Sequence, residues 1–199
     1  MPEFTCLTVT LADAIAQIEL NRPDKANALN GTLWREIGEV FRWVDETPEA
    51  RVAILSGAGR YFCSGIDFEL MGEVLDSVED LGPGRKEERL RRTILELQAA
   101  FTALETCRKP VLAAIHGLCI GGGLDLIAAC DLRYATADAA FSVKEVDLAI
   151  IADVGSLQRL PYLISEGRLR ELAFTARQFD AAEAQAMGLV TQVFADAAQ

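Results

Sequence analysis

The sequence contains little histidine, few aromatic residues and no paired cysteines. His116 is the single histidine among 199 residues, and Phe, Trp and Tyr together make up 7%. The five cysteines form no Cys-x-x-Cys pair. A histidine without a histidine partner favours a structural, hydrogen-bonded role over metal binding or general-base catalysis. An odd number of unpaired cysteines is typical of small core residues in a reducing compartment.

Positive charge is also scarce. Lys and Arg total 19 against 30 Asp and Glu, which gives a net charge of −11. This balance disfavours nucleic-acid and membrane-surface partners. The first residues lack a basic region followed by an apolar core, so no secretion signal is predicted. The most apolar window, residues 110–130, carries His116, three glycines and Asp125 and is typical of a folded core, not of a membrane span. We therefore expect a cytoplasmic protein without nucleic-acid or membrane partners.

Several common catalytic and phosphate-binding motifs are absent. The sequence has no Gly-x-Gly-x-x-Gly run and no P-loop. Ser64 follows Cys63 and precedes Gly65, but the first glycine of a nucleophile elbow is missing. These absences argue against a dinucleotide-binding domain, a P-loop enzyme and a serine hydrolase of that type.

Short apolar runs alternate with amphipathic segments along the chain. Strands are predicted at 5–10, 13–20, 51–56, 110–115, 132–136, 140–143 and 190–194. Helices are predicted from Asn30 to about residue 46 and at 90–104, 156–164, 168–177 and 181–187. Residues 71–85 are polar and are predicted to be irregular, with Gly82-Pro83-Gly84 as a breaker of secondary structure. We expect a mobile surface segment there. The alternation predicts an α/β fold with a largely parallel core, with residues 1–199 as a single domain.

A triple glycine, Gly121-Gly122-Gly123, separates the predicted strand 110–115 from a helix that begins near Leu124. Glycine allows the backbone to approach a ligand closely, and a helix start presents free N–H groups. Such a turn can bind an anion, or an oxygen that becomes negative during a reaction. A tight turn without a ligand is the alternative. Asp125 favours the functional interpretation, although it could instead only complete the helix dipole.

Two further acids follow Asp125 at intervals of 20 and 28 residues, namely Glu145 and Asp153. Both lie among apolar neighbours, and an apolar pocket raises the pKa of a carboxyl so that it can exchange protons near neutral pH. Asp153 could instead cap the next helix, because Gly155-Ser156 follows it. Glu145 could instead pair with Lys144. The residues themselves leave these alternatives open.

Three motifs resemble the enoyl-CoA hydratase/isomerase (crotonase) superfamily and occur in its order. They are Asn-Arg-Pro-Asp-Lys-Ala-Asn-Ala at 21–28, Phe-Cys-Ser-Gly-Ile-Asp at 62–67, and His-Gly-Leu-Cys-Ile-Gly-Gly-Gly-Leu-Asp-Leu at 116–126. The resemblance covers residues 5–199. Segments 141–147 and 152–161 are most similar to the delta(3,5)-delta(2,4)-dienoyl-CoA isomerases of that family.

The resemblance implies a crotonase-like (ClpP/crotonase) spiral of ββα units. It also implies C-terminal helices beyond the point that matches Gln199, which would cover the CoA and build the trimer. We therefore expect a crotonase-like domain that lacks those helices. A homo-trimer or hexamer is expected of a full-length protein, and weak, heterogeneous association of residues 1–199 alone.

The resemblance also implies roles for individual residues. The N–H groups of Ile66 and Gly122 would form an oxyanion hole around a thioester carbonyl. Lys25 would meet the CoA phosphates, with a solvated loop lysine as the alternative. The substrate-binding residues implied are Lys25, Gly65, Ile66, Asp67, Phe68 and Gly123. The catalytic residues implied are Asp125, Glu145 and Asp153.

The implied function is an isomerase of fatty acid β-oxidation that converts 3,5-dienoyl-CoA to 2,4-dienoyl-CoA. Asp153 would take a proton from C2, Glu145 would return one at C6, and Asp125 would tune the pair. No metal or redox cofactor is expected, since CoA arrives as part of the acyl-CoA thioester substrate. The alternatives are an enoyl-CoA hydratase, a 3,2-enoyl-CoA isomerase, or a non-catalytic acyl-CoA-binding member of the family.

Overall fold

The computed structural model describes residues 2–196, in which helices cover two β-sheets. The strands are Leu7–Ala12 (β1), Ile15–Leu20 (β2), Val52–Gly57 (β3), Val111–Ile115 (β4), Leu118–Ile120 (β5), Leu132–Thr136 (β6), Ala140–Ser142 (β7), Phe179–Asp180 (β8) and Gln192–Phe194 (β9). The α-helices are Gly31–Glu46 (α1), Phe68–Asp76 (α2), Pro83–Glu105 (α3), Gly122–Ala128 (α4), Ser156–Arg159 (α5), Glu166–Thr175 (α6) and Ala181–Ala186 (α7). Short 3₁₀ turns lie at Pro23–Lys25, Glu145–Leu148 and Leu160–Tyr162.

The larger sheet has the order β1-β2-β3-β4-β6-β9. Strands β1 and β2 are antiparallel, and every other neighbouring pair in this sheet is parallel. The smaller sheet has the order β5-β7-β8, with β5 parallel to β7. The prediction of an α/β fold with a largely parallel core is confirmed. Because parallel strands end at the same edge of a sheet, the loops after β3 and β4 approach each other there.

Helix α1 forms as its sequence pattern predicts. Asn30 accepts a hydrogen bond from the Leu33 amide at 2.8 Å and caps the helix. The apolar positions at helical spacing are buried: Leu33, Ile37, Val40, Phe41 and Val44. Each such side chain contributes about 1.5–3 kcal/mol when removed from water. Helix α3 packs beside α1, and both lie against the core.

Two local predictions are wrong. The first hairpin turns at Asp13-Ala14, two residues later than expected, because both residues adopt the positive φ angles of a two-residue turn (51° and 65°). Residues 71–85 are not irregular throughout: α2 extends to Asp76, and α3 begins at Pro83. Pro83 starts the helix instead of breaking it, since the first helical position needs no backbone N–H donor.

Candidate active site

A cavity of about 610 Å³ lies beside the triple-glycine turn. Eight of the predicted site residues line it: Lys25, Gly65, Ile66, Asp67, Phe68, Gly122, Glu145 and Asp153. Much of the remaining wall is apolar, formed by Trp34, Leu97, Leu148, Ile150 and Val154. An apolar cavity with a few convergent polar groups is typical of a small-molecule site.

Two glycine-containing backbone segments, one at Gly65 and one at Gly121-Gly122, approach each other closely at the cavity. Gly65 and Gly121 have φ angles of 91° and 52°, which side chains rarely allow. A Cβ on Gly65 would lie 3.5 Å from the Gly122 amide nitrogen, and one on Gly122 would lie 3.8 Å from the Ile66 amide nitrogen. Within residues 2–196, neither of these two amides donates a hydrogen bond. Two free backbone donors therefore lie close together in the cavity wall.

Asp125 lies behind the cavity wall and does not line it. Its side chain is on α4 and is 0% exposed. Oδ1 accepts a hydrogen bond from the Ser156 amide, whereas Oδ2 has no partner in the described part of the chain. Burial, with the charge of Glu145 as the next contribution, raises the pKa of Asp125 to about 7. Asp125 can therefore hold a proton near neutral pH, although its side chain does not line the cavity.

Glu145 begins a 3₁₀ turn and reaches the cavity with a carboxyl that is almost buried. Its Oε1 lies 3.4 Å from the position of a Cβ on Gly121. Burial raises the pKa of Glu145. The pairing of Glu145 with Lys144 that the sequence left open is not observed, because Lys144 binds Asp147 instead.

Asp153 lines the cavity from the loop before α5, and it is half-buried. Burial raises the pKa of its carboxyl. Asp153 is not a helix cap, since Gly155 occupies the cap position of α5 and no side chain bonds there. The backbone oxygen of Asp153 accepts a hydrogen bond from Gln98 Nε2 on α3 at 2.5 Å. Helix α3 therefore anchors the loop that carries this acid.

The predicted substrate-binding residues differ in what their side chains do. Gly123 does not line the cavity, contrary to the prediction, because it packs against Cys63, 2.9 Å from the position its Cβ would take. The Asp67 carboxylate is bound to Arg22 at 2.9 Å and caps α2. Phe68 is 67% exposed at the start of that helix, and Lys25 contributes a positive charge to the cavity wall.

Sequence reasoning missed the residues that shape the apolar wall. Trp34 donates from Nε1 to the Leu97 backbone oxygen at 2.8 Å and stacks on Phe101 at 5.1 Å. These two contacts join α1 to α3 at the wall. The apolar pattern places Trp34 and Leu97 on buried helix faces, but it does not separate a cavity wall from a packed core.

His116 has the structural role that its isolation favours. Its Nε2 lies 2.9 Å from the Gly59 backbone oxygen. In the described part of the chain, no group of three or more His, Cys, Asp and Glu side chains is placed to hold a metal ion. Among the same residues, no helix is both long and apolar enough to cross a membrane.

Comparison with known proteins places these features in a family. The model of the enoyl-CoA hydratase/isomerase family matches residues 10–199. The chain belongs to the enoyl-CoA hydratase/isomerase family. It is 50% identical over 182 residues to the peroxisomal delta(3,5)-delta(2,4)-dienoyl-CoA isomerase of Arabidopsis thaliana, covering 91% of this chain and 66% of that protein. It is 50% identical over 197 residues to the mitochondrial dienoyl-CoA isomerase of Rattus norvegicus, covering 97% of this chain and 60% of that protein.

Solved structures share the crotonase fold. The enoyl-CoA hydratase of Shewanella pealeana matches with a TM-score of 0.88 at 26% identity, covering 96% of this chain and 69% of that one. The enoyl-CoA hydratase of Bacillus anthracis matches with a TM-score of 0.83 at 35% identity, covering 96% and 70%. The chain thus spans about 60 to 66% of the length of the curated relatives described above.

Proposed function

We propose that the protein catalyses the conversion of 3,5-dienoyl-CoA to 2,4-dienoyl-CoA in fatty acid β-oxidation. The observation that carries the proposal is the meeting of two acids with raised pKa, Glu145 and Asp153, and two free backbone amides in one largely apolar cavity. The relatives also support the proposal, because two proteins named dienoyl-CoA isomerase are each 50% identical to this chain over most of its length.

The proposed reaction moves two double bonds by two proton transfers. The Asp153 carboxylate removes a proton from C2, and the electron pair spreads through the diene onto the thioester oxygen. The resulting dienolate oxygen accepts hydrogen bonds from the amides of Ile66 and Gly122. A proton from the Glu145 carboxyl then forms the new C–H bond at C6, which leaves double bonds at C2–C3 and C4–C5. Loss of one oxyanion-hole donor typically costs about 2.7–4 kcal/mol of transition-state stabilisation.

The remaining site residues bind substrate. Lys25 offers a positive charge to the CoA phosphates, and the backbone of Gly65 to Phe68 follows the thioester. Gly123 supports this wall from behind through its contact with Cys63. The proposed steps are proton transfers between carboxyls and carbon, so neither a metal nor a redox cofactor takes part. We therefore expect turnover to be unchanged after dialysis against EDTA.

The test is an ultraviolet assay of purified full-length protein with 3,5-dienoyl-CoA, because conjugation with the thioester changes the absorbance. The proposal predicts a time-dependent change in the spectrum that stops when the conversion of substrate to product is complete. Unchanged 3,5-dienoyl-CoA spectra combined with hydration of 2-enoyl-CoA would overturn it. Tight acyl-CoA binding without turnover of any unsaturated thioester would instead identify a non-catalytic binding protein.

Hydration of 2-enoyl-CoA is the second candidate, supported by the hydratase titles of the solved structures. A hydratase that positions water between Glu145 and Asp125 needs both carboxyls at the cavity. The Asp125 carboxyl is fully buried behind the wall, whereas Asp153 lines the cavity. This difference favours the isomerase over the hydratase.

We also propose a homo-trimer or hexamer for the full-length protein, as the family resemblance implies. Light scattering of that protein tests this proposal.

A cytoplasmic location stays a prediction, and the names of the relatives, which are peroxisomal and mitochondrial proteins, argue against it. Fluorescence microscopy of the tagged full-length protein distinguishes these compartments.

A further inference from the structure

Some buried polar atoms at and around the cavity have no hydrogen-bond partner. Within residues 2–196, the buried side-chain N and O atoms that lack a hydrogen bond are Asp125 Oδ2, Glu145 Oε2, Ser156 Oγ and Arg159 Nε. Buried polar groups are nearly always paired, so an unpaired set in one place calls for a function. Glu145 takes part in the proposed proton transfers, whereas Ser156 has no role in them.

Ser156 is bound to Asp125 through its backbone. Its amide donates to Asp125 Oδ1, and its side chain is 1% exposed. A serine hydroxyl rotates and can donate one hydrogen bond, while an ionised carboxylate only accepts. The unpaired Ser156 hydroxyl and the unpaired Asp125 Oδ2 are therefore complementary, and both atoms are buried.

We propose that Ser156 is a positioning residue whose hydroxyl donates to Asp125 Oδ2 and stabilises the ionised form of Asp125, so that a proton held by Asp125 can move to Glu145. Glu145 is the member of this pair that lines the cavity and would protonate C6. The inference rests on the proposed function. Without Ser156, the proton stays on Asp125, behind the wall, where it cannot reach substrate.

The charged and titratable groups around Asp125 agree with this role. Burial raises the pKa of Asp125, the charges of Glu145 and Asp153 raise it further, and the hydrogen bond from the Ser156 amide lowers it. Burial raises the pKa of Cys63 to about 12 and that of Cys119 well above its usual value, so both thiols stay neutral near pH 7.

The guanidinium of Arg159 also lies near the Asp125 carboxyl. A Cβ on Gly155 would lie 3.7 Å from Asp125 Oδ1 and would clash with Arg159 Nη1. Arg159 Nη2 binds Glu105 at 2.6 Å and approaches Thr102 at 3.5 Å, and Nη1 lies 3.4 Å from the Val154 backbone oxygen. Within residues 2–196, the hydrogen bond that the Asp125 side chain receives comes from Ser156.

The first experiment titrates the buried carboxyls of the ligand-free, full-length protein by infrared difference spectroscopy, which does not require turnover. Asp125→Asn and Glu145→Gln assign the bands. We expect wild-type protein to release the Asp125 proton near pH 7 and Ser156→Ala to release it at least about one pH unit higher, a tenfold change in proton affinity. An unchanged or lower titration midpoint in Ser156→Ala overturns the proposal, whether or not the enzyme isomerises dienoyl-CoA.

The second experiment measures kinetics in a double-mutant cycle. Ser156→Ala should lower kcat about tenfold with KM within about twofold, and it should have little further effect in the Asp125→Asn background. Equal losses in both backgrounds overturn the proposal. Ser142→Ala is the matched control: its buried hydroxyl donates to the Ala176 backbone oxygen at 2.7 Å, so its loss should lower the melting temperature without moving the carboxyl titration.

Discussion

Asp153 reaches the cavity, whereas Asp125 lies behind its wall, and this difference makes Asp153 the more informative residue to replace. Asp153→Asn removes the proposed base while keeping the size of the side chain. We expect kcat for 3,5-dienoyl-CoA to fall about a hundredfold or more, the scale of general-base catalysis. Asp13→Asn is the matched control, since Asp13 lies in the exposed β1–β2 turn. Retention of most activity in Asp153→Asn would show that another group removes the C2 proton.

The buried carboxyl of Asp125 predicts how stability depends on pH. Its pKa is about 7 in the folded protein, against an ordinary value of 3.8. Between these two values the folded state binds more protons than the unfolded state, so the free energy of unfolding falls as pH rises. The loss due to Asp125 amounts to roughly 4 kcal/mol at most by pH 7.

Asp125→Asn tests this pH dependence, because asparagine still accepts the Ser156 hydrogen bond but carries no charge. We expect the variant to lose less stability than wild-type protein between about pH 4 and pH 7 in urea denaturation. Asp45→Asn is the control: hydrogen bonds from Arg108 lower the pKa of Asp45 to about 2, against an ordinary value of 3.8. The contribution of Asp45 to stability is therefore lost only as pH falls below about 4, and this variant should keep the wild-type slope between pH 4 and pH 7. Parallel pH profiles for Asp125→Asn and wild-type protein would contradict the prediction.

At the scale of single elements, helix α4 depends on a close approach to the loop after β3. A Cβ on Gly123 would lie 2.9 Å from both the Cβ and the backbone oxygen of Cys63. Gly123→Ala must therefore push α4 away from the loop, and overpacking of this kind typically costs about 1–3 kcal/mol. We expect a lower melting temperature together with lower isomerase activity, because the same movement displaces the Gly122 amide.

Gly72→Ala is the control for this substitution. Gly72 also lies in a helix, α2, but nothing lies within 4 Å of its added Cβ. Alanine there should raise or preserve stability, since it lowers the conformational entropy of the unfolded chain. Equal melting temperatures for Gly123→Ala and Gly72→Ala would rule out the steric explanation.

At the scale of the whole molecule, large apolar side chains are exposed outside the cavity. Tyr162, which is 89% exposed, lies in the 3₁₀ turn Leu160–Tyr162, and Phe174, which is 76% exposed, lies in α6. Phe174 lines a groove with Leu157 and Leu169. Exposed apolar patches usually mark a partner surface or promote aggregation. We expect residues 1–199 alone to form weak, heterogeneous oligomers in light scattering, reduced by Tyr162→Ser with Phe174→Ser.

A single substitution on another exposed surface serves as the control for association. Leu95→Ser on α3 removes an apolar side chain that is not part of the Phe174 groove, so it should leave the oligomer distribution unchanged. A stable, monodisperse hexamer formed by residues 1–199 would contradict the prediction.

The prediction that residues 1–199 make up one crotonase-like domain is not tested by the structure or by the relatives, and it stays a prediction.

The sequence by itself determined the family and the α/β fold with a largely parallel core, and it predicted the residues of the site. It could do so because the Asn21–Ala28 loop, the Phe62–Asp67 loop and the glycine turn are local patterns. The same holds for the Asn30 cap and for the apolar spacing of α1, whose effects depend on residues within a few positions of each other.

Only the tertiary structure decided which carboxyls reach the cavity and what holds them. Ser156 donates to Asp125 across 31 positions of sequence, and Gln98 anchors Asp153 across 55. Gly123 is placed against Cys63 by the approach of two loops. Burial and hydrogen bonding between distant segments depend on how the sheets and α3 pack together, and a local pattern of residue types contains no information on that packing.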